Sequence, residues 1–425
     1  MSFTLWYISK YLTLPDDRVG GRSISLLREM ARLGHRAYAF TSDSNHLVIG
    51  PSFEGAQHRR EVDGVCVTWL RTLKYRGAKS VGRMLSWFDF ERRLSTMPTA
   101  ELPRPDVVIA SSLSLFSILS GLRFKRKYGC KLIFEVRDIW PLTICEEGGI
   151  SSRHPFVRLL AAVEKLAYHK ADAIVGTMPN LCEHVLEVAG PNTPPVHCIP
   201  MGIDPSQLDV AEQLPEGYVH EFLPEDKFIV CHAGTIGITN ALDTLFECAT
   251  RMADDDRVQF VVVGKGDLKS TYQDRYGHLP NVTFAPAVPK PQVQSVLSHC
   301  DLLYFAVHKS AVWRFGQSLN KVTDYMLAGK PVLASYTGYP SMIDEAGAGK
   351  YVPADDIDAL RAAIIDFQAK PAEERVAMGR AGRTWLVENR AYPVLAKRYL
   401  DIVENLLEKR TLPHPRLGEG MRVSL

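Results

Sequence analysis

Arg314 to Pro331 (RFGQSLNKVTDYMLAGKP) joins a polar loop to a lysine, an acid one turn later and a terminating glycine. The pattern predicts a short helix whose first N–H groups lack intrahelical acceptors and whose dipole presents its positive end. Such a junction suits a pyrophosphate. Ser318, Asn320 and Lys321 stand at it, Arg314 precedes it, and Asp324 follows one turn on. A carboxylate there can accept hydrogen bonds from ribose hydroxyls while Lys321 meets phosphate. Gly329 should end the helix, with Pro331 to Ser335 resuming as a buried strand. The same residues also read as an amphipathic helix with Lys321 and Asp324 solvated.

Other loops carry related chemistry. In DDRVGGRS, Gly20 and Gly21 allow close backbone approach and Arg22 adds a cation, although a plain turn reads equally. In FEVRDIWPL, Arg137 and Asp138 fall at the end of a buried strand, with Trp140 and Pro141 stiffening the loop. Asp138 there reads as a ligand-facing carboxylate, or else as an ion pair with Arg137 or a cap. His154, in SSRHP, is near in sequence but reads as exposed. IVCHAGTIGITN places Gly234 and Gly237 between a strand and a helix beginning near Asn240, without the full G-x-G-x-x-G of a dinucleotide enzyme. FVVVGKGD gives a tight turn at Gly264 and Gly266, with Asp267 as a cap. No Ser-His-Asp order, H-E-x-x-H or metal-binding D-x-D is visible, so neither metal nor cofactor is expected.

These loops need strands and helices to hold them. Short apolar runs alternate with helical patterns, which argues for parallel sheets with right-handed crossovers. Strands are expected near Leu5–Ser9, Arg36–Thr41, Val65–Leu70, Asp106–Ser111, Lys131–Val136 and Ala173–Gly176, and helices over Gly21–Leu33 and Phe156–His169. The alternation restarts with Phe228–His232, Val258–Val263, Val282–Phe284, Leu302–Phe305 and Pro331–Ser335. Two doubly wound domains are implied, whose ligands would lie at the carboxyl ends of the strands. The expected boundaries are 1–200, 201–395, a terminal helix at 396–410 and a tail at 411–425.

The chain's 425 residues, 46% apolar and 23% charged, suit two globular domains. Eight scattered cysteines without a C-x-x-C pair read as free thiols in a reducing cytosol. No signal peptide or membrane span is read from the sequence. Net charge is only +2, but Arg71 to Ser95 holds seven Lys or Arg against two acids, interleaved with aromatic and apolar residues. That segment reads either as peripheral contact with an anionic membrane or as a surface loop. RFKRKYGCK, Arg123 to Lys131, reads as a solvated helix end. Nucleic acid is disfavoured, because no recognised module accompanies these patches.

NKVTDYMLAGKP resembles the donor-site signature of retaining glycosyltransferase family 4, in the bacterial surface-polysaccharide branch typified by N-acetyl-L-fucosamine transferases. R-D-I-W-P and I-P-M-G-I-D are similar to further motifs of that branch, and the likeness spans nearly the whole chain. The resemblance implies a GT-B fold: α/β, with two Rossmann-like domains facing across a cleft and a C-terminal helix returning to the first. It implies a nucleotide-sugar donor, a glycan or lipid-linked saccharide acceptor, and a cytoplasmic enzyme, peripheral on the inner membrane. Asp138, Arg137 and Lys321 would take the catalytic roles. Donor binding would fall to Gly20, Gly21, Arg22, Gly234, Gly237, Gly264, Val288, Arg314, Ser318, Asn320, Lys321 and Asp324. Leu319 stands where that branch often has proline, and Met201 replaces a linker asparagine. Gly316 occupies the position of the family's first glutamate, and the usual arginine and lysine after the Gly237 loop are absent. A noncatalytic scaffold, or a sugar-nucleotide 2-epimerase of the same fold, remains the alternative.

Overall fold

The computed structural model describes residues 2–14, 21–46, 48–75, 80–112, 114–208 and 211–408. The chain forms two compact units: residues up to Pro200 together with those from Pro393 onward, and Met201–Tyr392.

The first unit is built on β1 (Thr4–Ile8), β2 (Arg36–Ser42), β3 (Gln57–Val62), β4 (Val65–Leu70), β5 (Val107–Ser111), β6 (Lys131–Val136), β7 (Ala173–Gly176) and β8 (Val196–Cys198), in the order β3-β4-β2-β1-β5-β6-β7-β8. Its helices are α1 (Arg22–Arg32), α2 (Val81–Thr96), α3 (Ser117–Tyr128), α4 (Leu142–Glu146), α5 (Pro155–Lys170) and α6 (Leu181–Ala189). All pairings are parallel except β3 with β4. The parallel strands are apolar runs buried on both faces, as β5 (VVIAS) illustrates. β3 lies outside the sequence expectation. It is half-exposed and charged, and turns into β4 through Asp63–Gly64 at φ 51° and 81°, a left-handed pair suited to a tight hairpin. Its Arg59, Arg60 and Glu61 make the sheet edge polar.

Residues 81–96 form one helix rather than a loop. Ser80 caps it by accepting from the Arg83 N–H at 3.3 Å, and Trp87, Phe90 and Leu94 lie in the core. The basic segment after it forms the end of α3, which Gly129 stops at φ 68°.

The second unit carries β9 (Phe228–Ala233), β10 (Val258–Val263), β11 (Val282–Ala285), β12 (Leu302–Ala306), β13 (Val332–Ser335) and β14 (Gly349–Val352), ordered β11-β10-β9-β12-β13-β14 and wholly parallel. Its helices are α7 (Tyr218–Phe222), α8 (Asp243–Arg251), α9 (Lys269–Tyr276), α10 (Val293–Ser298), α11 (Asn320–Leu327), α12 (Met342–Glu345), α13 (Ile357–Ala369) and α14 (Ala372–Arg390). Two apolar layers cover the sheet, one including Val322, Tyr325 and Met326 of α11, the other Leu245 and Phe246 of α8. The strand order reverses between β9 and β12, so a crevice is expected outside their carboxyl ends. Finally α15 (Tyr392–Leu407) packs almost entirely within the first unit, where Leu395, Tyr399 and Val403 are buried. Residues 409–425, including the expected tail, lie outside the described residues.

Candidate functional site

The loops after β9 and β12 meet at the point where the strand order reverses. Gly234 N–H donates to Val263 O at 2.9 Å and Ile236 N–H to Lys265 O at 3.0 Å, so the loop after β9 lies backbone to backbone on the loop after β10. Side chains would prevent this. A Cβ on Gly264 would fall 1.9 Å from Gly234 O, and one on Gly266 would fall 2.0 Å from Ile236 O. Lys269 Nζ closes the turn on Gly264 O and Ala285 O at 3.0 and 2.9 Å. Past Gly237 the chain makes one 3-10 turn, Ile238–Asn240, and Ala241 is left-handed at φ 44°. The helix expected near Asn240 therefore starts only at Asp243. His308, after β12, donates from Nε2 to Ile238 O at 2.7 Å and links the two loops.

Against this edge sits α11. The Tyr325 hydroxyl donates to Ala233 O at 3.0 Å and accepts from Ala233 N–H at 2.9 Å, so one phenol satisfies both backbone groups ending β9. Gly329 ends the helix at φ 66°. No side chain caps the helix start at Leu319, and the N–H groups of Asn320 and Lys321 have no protein acceptor among the described residues. Lys321 turns its ammonium inward onto Asn240 Oδ1. Burial lowers its pKa from 10.5 to about 8, and no carboxylate pairs with it among the described residues. His232, wholly buried on β9, is pushed down to about 3 by burial and by the Lys321 charge, so its ring is neutral. Its Nε2 lacks a partner among the described residues and faces Gly234. The chemical content of the cluster is thus a buried cation with only an amide oxygen on it, open helix N–H groups and a glycine cradle. This arrangement is short of an anion.

The remaining expected donor residues divide. Asp324 lies one turn from Lys321, but both its oxygens face Lys290 Nζ at 2.5 and 2.6 Å. Burial raises its pKa and Lys290 opposes the rise. Any hydroxyl group offered to Asp324 would have to compete with this ion pair. Ser318 Oγ accepts from the Met201 N–H at 2.8 Å, so it fastens the segment in which methionine stands for asparagine. Gly237 lies in the cradle, where a Cβ would approach Asp267 Oδ1 to 3.0 Å. Asn320 is exposed at the helix start. Arg314 is exposed, its guanidinium 5.0 Å from the Phe315 ring centroid. Val288 is half-buried against the core.

In the first unit, Gly20 lies outside the described residues, and Gly21 precedes α1, where a Cβ would fall 2.7 Å from Ile24 Cγ2 and 2.9 Å from Thr13 O. Arg22 corrects the expectation of a cation held out to a donor. Its side chain is 0% exposed, pairs with Glu135 at 3.0 Å and donates to Pro200 O and Ile199 O at 3.1 and 2.6 Å. A buried strand glutamate demands such a partner, and Tyr7 adds its hydroxyl at 2.5 Å. Asp138 organises its own loop: Trp140 Nε1 and Thr143 Oγ1 donate to its two oxygens at 2.7 and 2.8 Å. It makes no ion pair with Arg137, whose N–H donates to Ser112 Oγ at 3.0 Å and whose buried Nε has no partner among the described residues. His154 caps α5 by accepting from Phe156 N–H at 3.2 Å.

The partners Asn240 and Lys290 lie 81 and 34 residues from Lys321 and Asp324, separations of which the sequence carries no signal. His232 left a trace as the one polar residue in an apolar strand. A cavity of about 1000 Å³ lined by residues including Gln213, His220, Asp226 and His299 shares no residue with this cluster.

Residues 22–202 match the model of the glycosyl transferase 4-like domain, and residues 227–370 match that of glycosyl transferases group 1. No curated protein sequence matches. Sucrose-phosphate synthase from Thermosynechococcus elongatus has a similar structure, with TM-score 0.70 at 17% identity over 96% of this chain and 100% of that one. A trehalose-6-phosphate structure from E. coli bound with UDP-2-fluoro glucose matches with TM-score 0.71 at 12% identity, over 94% and 99% of the two chains. HepE of Anabaena in complex with UDP-glucose matches with TM-score 0.62 at 14% identity, over 95% and 100%.

Proposed function

We propose that this chain, a glycosyltransferase of the GT-B type, moves a sugar from a nucleotide-sugar donor to a hydroxyl of a glycan or lipid-linked saccharide. In this reading the anomeric configuration is retained and the product is a bacterial surface polysaccharide. The observation that carries it is Lys321, a buried cation without a carboxylate, beside the open N-terminus of α11 and the Gly234 cradle. These groups suit a diphosphate. The similar structures that hold UDP-glucose or UDP-2-fluoro glucose make a uridine diphosphate sugar the first donor to test.

The acceptor oxygen bonds to the anomeric carbon as the bond to the β-phosphate oxygen breaks. The acceptor proton passes to that departing oxygen on the same face, so no dedicated base is needed. Lys321 and the helix N–H groups meet the charge that grows on the leaving diphosphate, the term expected to dominate when geometry and electrostatics do the work. Asp138, held by Trp140 and Thr143, retains lone pairs for a sugar hydroxyl.

A thermal-shift screen against UDP, GDP, dTDP, CMP and ADP with their sugars selects the donor, since a ligand of the folded state raises Tm. Acceptor-dependent release of the selected nucleotide then supports transfer. Binding without release favours a scaffold, and an isomerised sugar nucleotide without release reveals an epimerase.

A further inference from the structure

We infer that the first unit binds a saccharide through a carboxylate group, with Lys10 as the cation that receives it. The sugar part rests on the transfer reading, which this deepens by naming the charge of the acceptor. The strand order of the first sheet reverses between β1 and β5, so a crevice is expected outside their carboxyl ends. Lys10 stands just beyond the end of β1 and is 0% exposed. Its ammonium donates to Ser44 O at 2.9 Å and Ser42 Oγ at 3.3 Å, which leaves one of three N–H groups without an acceptor among the described residues. The nearby carboxylates are already matched. Asp43 pairs with Lys74 at 2.9 Å, and Asp89 with Arg92 and Arg93 at 3.0 and 2.9 Å. A buried ammonium with no carboxylate on it calls for an anion.

Aromatic rings wall this charge. Lys10 Nζ lies 5.1 Å from the Tyr11 ring centroid and 5.4 Å from that of Tyr75. The Tyr11 hydroxyl accepts from Trp87 Nε1 at 2.6 Å and from Arg83 Nε at 3.0 Å. The Arg83 guanidinium also lies 5.9 Å from the Trp140 ring centroid. Trp140 in turn donates to Asp138, the carboxylate with lone pairs for a sugar hydroxyl. The unmatched charge and the sugar-facing loop therefore share one aromatic wall. Rings with apolar faces and polar edges suit a pyranose. One unmatched positive charge suits a single negative charge, so a uronate fits better than a phosphate monoester with nearly two. Half-buried Tyr75 and exposed His46, joined at 2.9 Å, form the outer side, and ligand entry requires them to part.

Burial lowers the Lys10 pKa from 10.5 to about 7; Asp43 and Asp89 oppose the fall, and Arg83 and Lys74 add to it. His46 is held below 6.5 by burial and by Arg83 and Lys10. From about pH 7 to 9 a uronate keeps its charge and His46 stays neutral. Affinity should therefore fall across that range as Lys10 loses its proton. Ligand-observed NMR titration of the full chain with methyl glucuronoside, methyl glucoside and glucose 6-phosphate tests the inference. The glucuronoside is expected to bind about tenfold or more tighter than the glucoside, the increment of one charge-assisted hydrogen bond, and tighter than the phosphate. Lys10→Met should erase the preference and its pH dependence while keeping the wild-type Tm and the nucleotide-induced shift, which reports on the second unit. The wild-type pH profile gives the same reading without a variant. Equal binding of glucuronoside and glucoside, tighter binding of glucose 6-phosphate, affinity flat from about pH 7 to 9, or an unchanged preference in a folded Lys10→Met chain would each overturn it. With the nucleotide-induced shift intact, those results remove this inference alone. A glucuronoside preference in a chain that binds no nucleotide sugar keeps it and removes the transfer reading.

Discussion

Lys321→Met separates the two energetic faces of the buried ammonium. In the ligand-free chain the charge is a liability, because lowering the pKa from 10.5 to about 8 corresponds to about 3 kcal/mol against the charged form. Methionine keeps most of the stem and needs no hydrogen bond, at the cost of leaving Asn240 Oδ1 without its donor. The unliganded variant should therefore be as stable as wild type or up to about 2 kcal/mol more stable. With a nucleoside diphosphate bound, the same change deletes a charge-assisted hydrogen bond of about 2 to 3 kcal/mol, a loss of roughly 30- to 150-fold in Kd. The pH dependence has a definite sign. Between about 8 and 10.5 the unfolded chain holds a proton that the native chain has released, so wild-type stability rises with pH there. Diphosphate affinity needs the proton, so it should be flat below about pH 8 and fall above it. Lys321→Met should flatten both profiles. Urea unfolding and calorimetric titration with the nucleotide chosen by the screen give the two readouts. Unchanged affinity in the variant, or a variant that loses stability by more than about 1 kcal/mol, would rule out Lys321 as a strained phosphate ligand.

Glu91 is pushed up from 4.5 to about 7 by burial. Across that window the native chain holds a proton the unfolded chain releases, so stability falls as pH rises, and Glu91→Gln should raise Tm at pH 8 with little effect near pH 4. Gly264→Ala should cost about 2 to 4 kcal/mol in urea unfolding and abolish the nucleotide-induced thermal shift, since its methyl would enter the Gly234 carbonyl. Arg22→Met should cost about 3 to 5 kcal/mol by stranding Glu135, and adding Glu135→Leu should recover most of it in a double-mutant cycle.

Period and punctuation made the strand-and-helix framework legible. β7 falls on the expected residues, and most other strands lie within a residue or two of expectation, because doubly buried strands read as unbroken apolar runs. Of the three strands missed, β3, β8 and β14, the first is polar and exposed. Its Asp63–Gly64 turn was a readable signal that the charged HRREV run obscured. The clustering of Lys321 with the glycine loops was legible, because loop and helix punctuation is local. Pairings were not. Whether Asp324 is solvated or clasped by Lys290 depends on residues 34 apart. Arg22, at the start of α1, looked like a free cation because its partner, Glu135, lies 113 residues away on β6. A lone acid in an apolar run such as KLIFEV is the trace such a buried pair leaves.

A crystal structure of the chain with UDP would show whether Lys321 and the start of α11 hold the diphosphate. Diphosphate density is expected against the N-terminus of α11, with an oxygen about 3 Å from Lys321 Nζ, the ammonium having left Asn240 or sharing it. Diphosphate density elsewhere, for example in the cavity lined by Gln213 and His299, with Lys321 still on Asn240, would contradict it.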